Sequence, residues 1–517
     1  MTPPQLRQGQ VRALHRSLPG RPDPLALYAT LADGGRRADT ALLERSEGPS
    51  LLLDQAAVRF ECRGRNVRAE ALSESGRRVL RTIAARMPDR ITATTAVRLE
   101  LTFPEPEGED AERRLMAPSP LDVLRAILGF DNLSGEEAFT LACLGIVAFD
   151  HVDMFESLPA NRGDPLGFPD YVFWLAESLI LFEPGAAARA ICAAFGDDDP
   201  EVARRAYFGA AERLSALVAR CAGTLGPIED EMPPASADPI EVDLDDDAFA
   251  AIVARLKGHI AEGDVYQIVP SRAFRAPCSD PLAAFAALRR LDPSPYRFFV
   301  AAPRHVLFGA SPETSVRLFR RDGWRTVEVK PIAGTRARGA TGDEDDRMEA
   351  EMRLDAKETA EHMMLVDLAR NDVARISIAG TRRVARLMTV ERYARVMHLV
   401  SSVTGVLKIG LDAFHALQAC LNVGTLTGAP KLRAMELLRE TEATKRGPYG
   451  GAVGWINGDG DMDTGVVIRS AVVQDGTAFV RAGAGVVHDS DPRAEAEETR
   501  RKASALLSVL TTTGAAV

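Results

Sequence analysis

The stretch "NVGTLTGAPKLRAMEL", residues 422–437, places Gly424, Thr425, Gly428 and Lys431 in a short loop ahead of an apolar, helix-like run. Glycines in such a loop let backbone N–H groups approach an anion closely, so a phosphate cradle is the first reading to test. A P-loop needs G-x-x-x-x-G-K followed by Ser or Thr. Here the second glycine comes one residue early, Ala429 and Pro430 separate it from Lys431, and Leu432 stands where the magnesium-binding hydroxyl belongs. The P-loop reading fails. The loop remains a candidate holder of some other anion.

Two more glycine-rich segments at expected strand ends, "KPIAGTRARG" and "RAGAGVVHDS", lie in the same half of the chain. Each alone is an ordinary turn. All three, with Arg469 in "VVIRSAVV" and Lys502, suggest a small polyanionic substrate. In "DAKETAEHMMLVDLARNDV" (355–373), Met363, Met364, Val366 and Leu368 predict a buried helix, and Glu358 and Glu361 share one face of it. "RAEAEETRRKASALL" (493–507) repeats the arrangement with Glu495 and Glu498, and Lys502 follows one turn later. Each pair reads as a solvated face. Two converging pairs could instead bind magnesium, which is typically held by one or two carboxylates with water and an anionic substrate.

Glu313 in "GASPETSV" follows a proline at the end of an apolar strand. It is an exposed, inert residue or, if buried beside a leaving hydroxyl, a general acid of raised pKa. His398 in "RVMHLVSSVTG" is a satisfied core histidine or a positioned base, since imidazole titrates near neutrality.

The 517 residues are 46% hydrophobic and 26% charged, as in a globular protein of one large unit or two to four domains. No window approaches an uncharged apolar run of about 18 residues, so no membrane helix is expected. "MTPPQLRQGQ" lacks the apolar core of a secretory signal, which makes a cytoplasmic location the expectation. Cys62, Cys143, Cys192, Cys221, Cys278 and Cys420 show no C-x-x-C pairing and read as reduced, mostly buried thiols. A net charge of -10 without a dense basic patch argues against nucleic acid.

"SLLLDQAAVRFECRGRNVRAEAL" reads as two strands around an Arg63–Asn66 turn. "PLDVLRAIL" and "EEAFTLACLGIVAFD" read as helical or buried. Residues 227–247, rich in proline and acid, are the expected linker between regions 1–226 and 248–517. Phe249, Ile252, Val253, Leu256 and Ile260 then predict a helix stopped by Gly263.

Taken in order, "GDVYQIVPSR", "DPSPYRFF", "FGASPE", "PIAGTRARG", "DAKETAEHMMLVDLARND", "VMHLVSSVTG", "GTLTGAPKLRAMELL", "RGPYGGAVGWI", "DTGVVIRSA" and "AGAGVVHDSDPRAEAEETRRKA" resemble the chorismate-utilising enzymes, most closely the large subunits of anthranilate synthases. They span roughly residues 250–505. The first half resembles those subunits more loosely through "DTALLERSE", "SLLLDQAA" and "FESLP". The resemblance implies an α+β fold of two packed, mainly antiparallel sheets, with helices outside and the substrate cleft between them. It implies a magnesium-dependent lyase that converts chorismate and ammonia to anthranilate and pyruvate.

By the same resemblance Glu361 and Glu498 would bind Mg2+, with Glu358 and Glu495 nearby. Glu313 would protonate the leaving hydroxyl, and His398 would assist loss of the ring proton and expulsion of pyruvate. Thr425, Tyr449, Arg469, Gly483, Gly485 and Lys502 would hold the substrate. Relatives that add water resemble one another in having lysine where this chain has Gln267, and para-aminobenzoate-forming relatives often carry lysine at Ala333. Both differences favour direct attack by ammonia. A 2-amino-2-deoxyisochorismate synthase, which stops before pyruvate loss, shares nearly every motif and is the alternative. "ACLGIVAFD" lacks the G-x-C-x-G turn of a fused glutaminase, so a separate glutamine amidotransferase subunit in a hetero-oligomer is expected. Where tryptophan-regulated relatives carry "LLES", "NPSPYM" and a cysteine after "DT", this chain has Glu44-Arg45, Pro293 with Arg297, and Gly465. That departure implies weak or absent tryptophan inhibition, as would suit a specialised pathway.

Overall fold

The strand Ser50–Arg63 is the hinge of the architecture. Its first residues, SLLLD, are all buried, and its later ones alternate in burial. It pairs antiparallel along its length with Tyr171–Phe182, and the register shifts repeatedly between Leu53 and Val58. Such irregularities bend and twist a strand. Before the bend it pairs with Thr40–Arg45. That layer continues through Tyr296–Ala301, Val306–Ser311, Ser470–Gln474, Thr477–Gly483 and Ser271–Pro277. Beyond the bend, Tyr171–Phe182 pairs with Cys143–Val147. The second layer runs on through Ala452–Ile456, Met462–Val466, Thr314–Arg321, Trp324–Val329 and Val396–Val406.

The computed structural model describes residues 6–106, 110–135, 137–161, 163–222, 240–392 and 396–511. Within them the two antiparallel layers are hydrogen-bonded into one continuous sheet by the shared long strands. The short pairing of Gln10–Ser17 with Asp131–Asn132 is parallel. The expected α+β arrangement of packed antiparallel layers is therefore present.

Alternation along the strands sorts the core. In the first layer Leu43, Phe298 and Leu307 point inward, against Leu144, Val172 and Trp455 of the second. Leu42, Phe299 and Phe308 point outward, under the helices Pro24–Leu31, Pro281–Leu291 and Pro492–Leu510. On the outer face of the second layer, Val316, Leu318 and Val327 meet the helices Ala356–Ile376 and Ala413–Cys420. Each such side chain contributes about 1.5–3 kcal/mol by leaving water.

Ala356–Ile376 starts where Asp355 caps the N–H of Glu358. Its buried face is His362, Leu365, Val366, Ala369 and Val373. Met363, expected inside, is instead 42% exposed, because the apolar stripe follows the 3.6-residue period and Met363 lies off it. The helix read around Phe249 and Val253 runs Asp246–Ala261. All six cysteines are free and buried.

Of the expected linker, residues 227–239 lie outside the described residues. Residues 241 and 242 pair with the Ser271–Pro277 strand, and Asp245 caps the next helix. Both layers mix strands from before and after this point: Thr40–Arg45 pairs with Tyr296–Ala301, and Cys143–Val147 with Ala452–Ile456.

Glu442 is a buried knot. Its carboxylate accepts from the N–H and hydroxyl of Ser271 and from two Arg446 nitrogens at 2.7 and 2.9 Å, and Arg481 lies at 3.6 Å. Removing it would strand a fully enclosed guanidinium. Glu442→Ala is expected to lower the unfolding free energy by about 3–5 kcal/mol, read from urea denaturation.

Candidate active site

The chain passes between layers twice at one place. Pro312 and Glu313 join Val306–Ser311 in the first layer to Thr314–Arg321 in the second. Val467, Ile468 and Arg469 join Met462–Val466 to Ser470–Gln474. The crossings lie side by side: the Val466 N–H donates to the Glu313 carbonyl at 3.0 Å, and the Ala310 N–H to the Arg469 carbonyl at 3.1 Å. Arg469 has φ +46°, and its guanidinium donates to Asp292 at 3.2 Å.

Glu313 is buried, and the Thr425 hydroxyl donates to its Oε1 at 2.8 Å. Burial pushes its pKa up to about 8, against the Thr425 hydrogen bond and the more distant charge of Lys502. The group is mostly protonated at neutral pH and poised to donate. Thr425 sits in a single helical turn, Gly424–Leu426, packed onto Ala356–Ile376. A Cβ on Gly424 would lie 2.2 Å from the end of the Leu368 side chain, so any larger residue there must displace Leu368. Lys431 donates to both Asp372 oxygens at 2.8 Å.

His398 is buried on the strand Val396–Val406. Burial, then the positive charge of Arg469, pushes its pKa down to about 4, and a hydrogen bond to the Gly334 backbone opposes them. At neutral pH the ring is uncharged and able to accept a proton. Gly334 has φ +69°, and a Cβ there would lie 2.8 Å from Glu358 Oε2.

Glu358 accepts from Arg336 through Oε1, while its buried Oε2 has no hydrogen-bond partner among the described residues. Glu361 is half-buried on the same helix, and Glu495 is half-buried on Pro492–Leu510. Glu498 accepts from Arg501 at 2.6 Å and lies 3.3 Å from Lys502 Nζ. Burial would raise its pKa, but Lys502 and Arg501 prevail and hold it below the usual value. No three of these four glutamates bring carboxylate oxygens within 4.8 Å of one another. Among the described residues only His259, Glu262 and Asp264 form such a group, and Arg433 already occupies Asp264 at 3.1 Å.

Lys502 also donates to the Gly483 carbonyl at 3.1 Å. The Tyr449 hydroxyl engages the Gly483 backbone, and burial pushes its pKa up to about 12. Gln267, on the two-residue strand beside Gly428–Ala429, places Nε2 3.3 Å from where a Gly485 Cβ would stand. Its buried Oε1 lacks a hydrogen-bond partner. Thus Thr425, Glu313, Lys502, Glu498, Gly483 and Tyr449 form one linked group, while His398, Gly334 and Glu358 form another that Arg469 influences. Sequence reasoning missed Asp372, which lines a small cavity with Glu313 and Thr425. Its spacing of about three helical turns from Glu361 was the available signal.

The expected regulatory positions fall into two sets of contacts, one around Arg45 and one around Glu44, which alternate to opposite faces of Thr40–Arg45. The Arg45 guanidinium lies 3.7 Å over the Tyr296 ring and 3.1 Å from Asp463. The Tyr296 hydroxyl donates to Asp463 at 2.8 Å. Glu44 accepts two bonds from Arg289, at 2.7 and 3.0 Å, and Arg297 lies at 3.5 Å. Pro293 sits in the turn where Asp292 accepts from the Ser294 N–H. A Cβ on Gly465 would lie 2.7 Å from the Tyr296 ring.

Comparison with known proteins gives the class of enzyme to which this fold belongs. The family model described as chorismate binding enzyme matches residues 75–508, and the chain belongs to that family. It is 45% identical to anthranilate synthase component 1 of Vibrio cholerae, over 97% of this chain and 96% of that protein. It is 47% identical to the pyocyanine-specific anthranilate synthase component 1 of Pseudomonas aeruginosa, over 89% and 87%. The crystal structure of anthranilate synthase component I from Streptococcus pneumoniae superposes with a TM-score of 0.69 at 28% identity, covering 89% of this chain and 92% of that one.

Because the pKa of Glu313 is raised on folding, the native state binds an extra proton between its unfolded value, near 4.5, and about 8. Its contribution to stability is full below that window and is lost as pH rises through it. Stability of the wild type relative to Glu313→Gln should therefore fall by up to about 1.4 kcal/mol per pH unit across the window. Chemical denaturation of both proteins from pH 5 to 9 measures it.

Proposed function

We infer that this chain is the synthase component of an anthranilate synthase, converting chorismate and ammonia to anthranilate and pyruvate. The observation that carries the reading is that one buried carboxyl, Glu313, is protonated at neutral pH while one buried imidazole, His398, is neutral and feels Arg469 of the adjoining crossing. The named relatives cover nearly the whole chain. Glu313 donates its proton to the departing hydroxyl while ammonia attacks next to the ring carboxylate. The new ammonium gives its surplus proton to solvent, His398 accepts the ring proton as the ring C–O bond breaks, and the expelled enolpyruvate takes up a proton to become pyruvate. Lys502 and Arg469 offer positive charge to the substrate carboxylates. Thr425, Tyr449, Gly483, Gly485 and Gln267 shape the pocket around them.

Glu358, Glu361, Glu495 and Glu498 suit a magnesium ion: Glu358 retains an unpartnered buried oxygen, and one or two carboxylates with substrate oxygens suffice. Bound there, the ion would neutralise the ring carboxylate and favour loss of the hydroxyl. Ammonia would come from a separate glutamine amidotransferase subunit. No described helix is long and apolar enough to cross a membrane, in keeping with work in the cytoplasm. We propose further that tryptophan inhibits weakly or not at all, since Arg45 and its partners occupy the expected regulatory positions.

Purified protein given chorismate, ammonium and magnesium should form fluorescent anthranilate, and glutamine should replace ammonium only after a glutaminase subunit is added. Accumulation of an aminated, pyruvyl-bearing product without anthranilate would refute the assignment. Glu313→Gln should lower kcat about 10²–10⁴-fold with ammonia as substrate. Millimolar tryptophan should leave most activity intact, and half-inhibition at low micromolar concentration would contradict the proposed insensitivity.

A further inference from the structure

Once Glu313 has given up its proton, the next turnover needs that proton restored, and the group is enclosed. Behind its carboxyl lies a cavity of about 20 Å³, lined by Glu313, Thr425 and Asp372 together with Val329, Leu365, Ala369 and Val423. A void of roughly 10–15 Å³ with two to four polar partners is enough to hold one water. Three of its lining residues, Glu313, Asp372 and Thr425, carry the polar groups a water would need. Asp372 in turn holds Lys431 through both oxygens, and the lysine side chain is 14% exposed, so the chain of polar groups reaches the surface.

We propose that Asp372 and Lys431 return a proton to Glu313 through a water in this cavity after each turnover. The proposal rests on the reading of Glu313 as the acid. In balance, the Glu313 carboxylate takes one proton from the water, the water takes one from the Asp372–Lys431 pair, and the pair takes one from solvent. No other bond changes. Burial raises the pKa of Asp372 while Lys431 and Arg375 lower it, and the buried Cys420 thiol, itself raised, lies near. From the other side Glu313 faces Thr425 and, at longer range, Lys502. The balance of burial against a single contacting ammonium suits Asp372 to pass a proton on. Lys431, which broke the P-loop pattern, thereby acquires a use in the opening loop that needs no contact with substrate.

Two variants test the relay, with chorismate and ammonia as substrates. Asp372→Asn removes the transferable proton, and Ala369→Val fills the cavity while leaving the Asp372–Lys431 pair intact. Both should release one equivalent of product at the wild-type rate and then slow at least about tenfold in steady state. KM for chorismate should fall in step with kcat, leaving kcat/KM near the wild-type value, and the slow phase should accelerate with the concentration of buffer acid. A merely structural role would produce neither the burst nor the buffer dependence. Wild-type steady-state rates in Ala369→Val, or a slowed variant lacking both signatures, would overturn the relay and would mean that the incoming ammonia's own proton recharges Glu313. A wild-type protein that does not turn over chorismate would instead refute the proposed function.

Discussion

Enclosure of one carboxyl group governs the rest of this site. Glu313 stands where the chain crosses from one sheet layer to the other, with a hydroxyl and, among the described residues, no contacting cation. Burying an ionised carboxylate there would be expensive, so the group keeps its proton. The cost of ionisation is what makes it an acid at neutral pH. The same enclosure, with Arg469 nearby, leaves His398 uncharged. An acid and a base thus coexist at one pH because two environments push their pKa values apart.

The fold supplies that enclosure through its bent strand pair. Had Ser50–Arg63 and Tyr171–Phe182 run straight, they would have belonged to one layer. Their register shifts carry the hydrogen-bonded network round a corner, so that two faces oppose each other across Leu43, Phe298 and Trp455. The crossings at Glu313 and Arg469 close one part of the resulting space. The helices Ala356–Ile376 and Pro492–Leu510, outside the layers, carry the four glutamates and Lys502.

Much of this was legible in the sequence, for identifiable reasons. The strand Ser50–Arg63, the helix Asp246–Ala261 and the helix Ala356–Ile376 carry strong periodicity, and the structure has each of them. Glu313 was readable as exposed or as buried, and the structure buries it, which no spacing reveals; His398 is buried under either of its readings, so its burial does not choose between them. Met363 was misread because an apolar residue off the stripe is indistinguishable by type from one on it. The joining of both layers into one sheet was not legible, since bulges at Leu53–Val58 depend on tertiary pairing. Asp372 was passed over because an acid in "LVDLARND" looks like any solvated helix face until Lys431 and the cavity are placed beside it.

The most direct test is the ionisation state of the Glu313 carboxyl itself. Infrared difference spectra between wild type and Glu313→Gln, recorded from pH 5 to 10 without substrate, isolate its protonated carbonyl band. The account predicts a band present at pH 7 that disappears with a midpoint near 8. A carboxylate already ionised at pH 6 would contradict it.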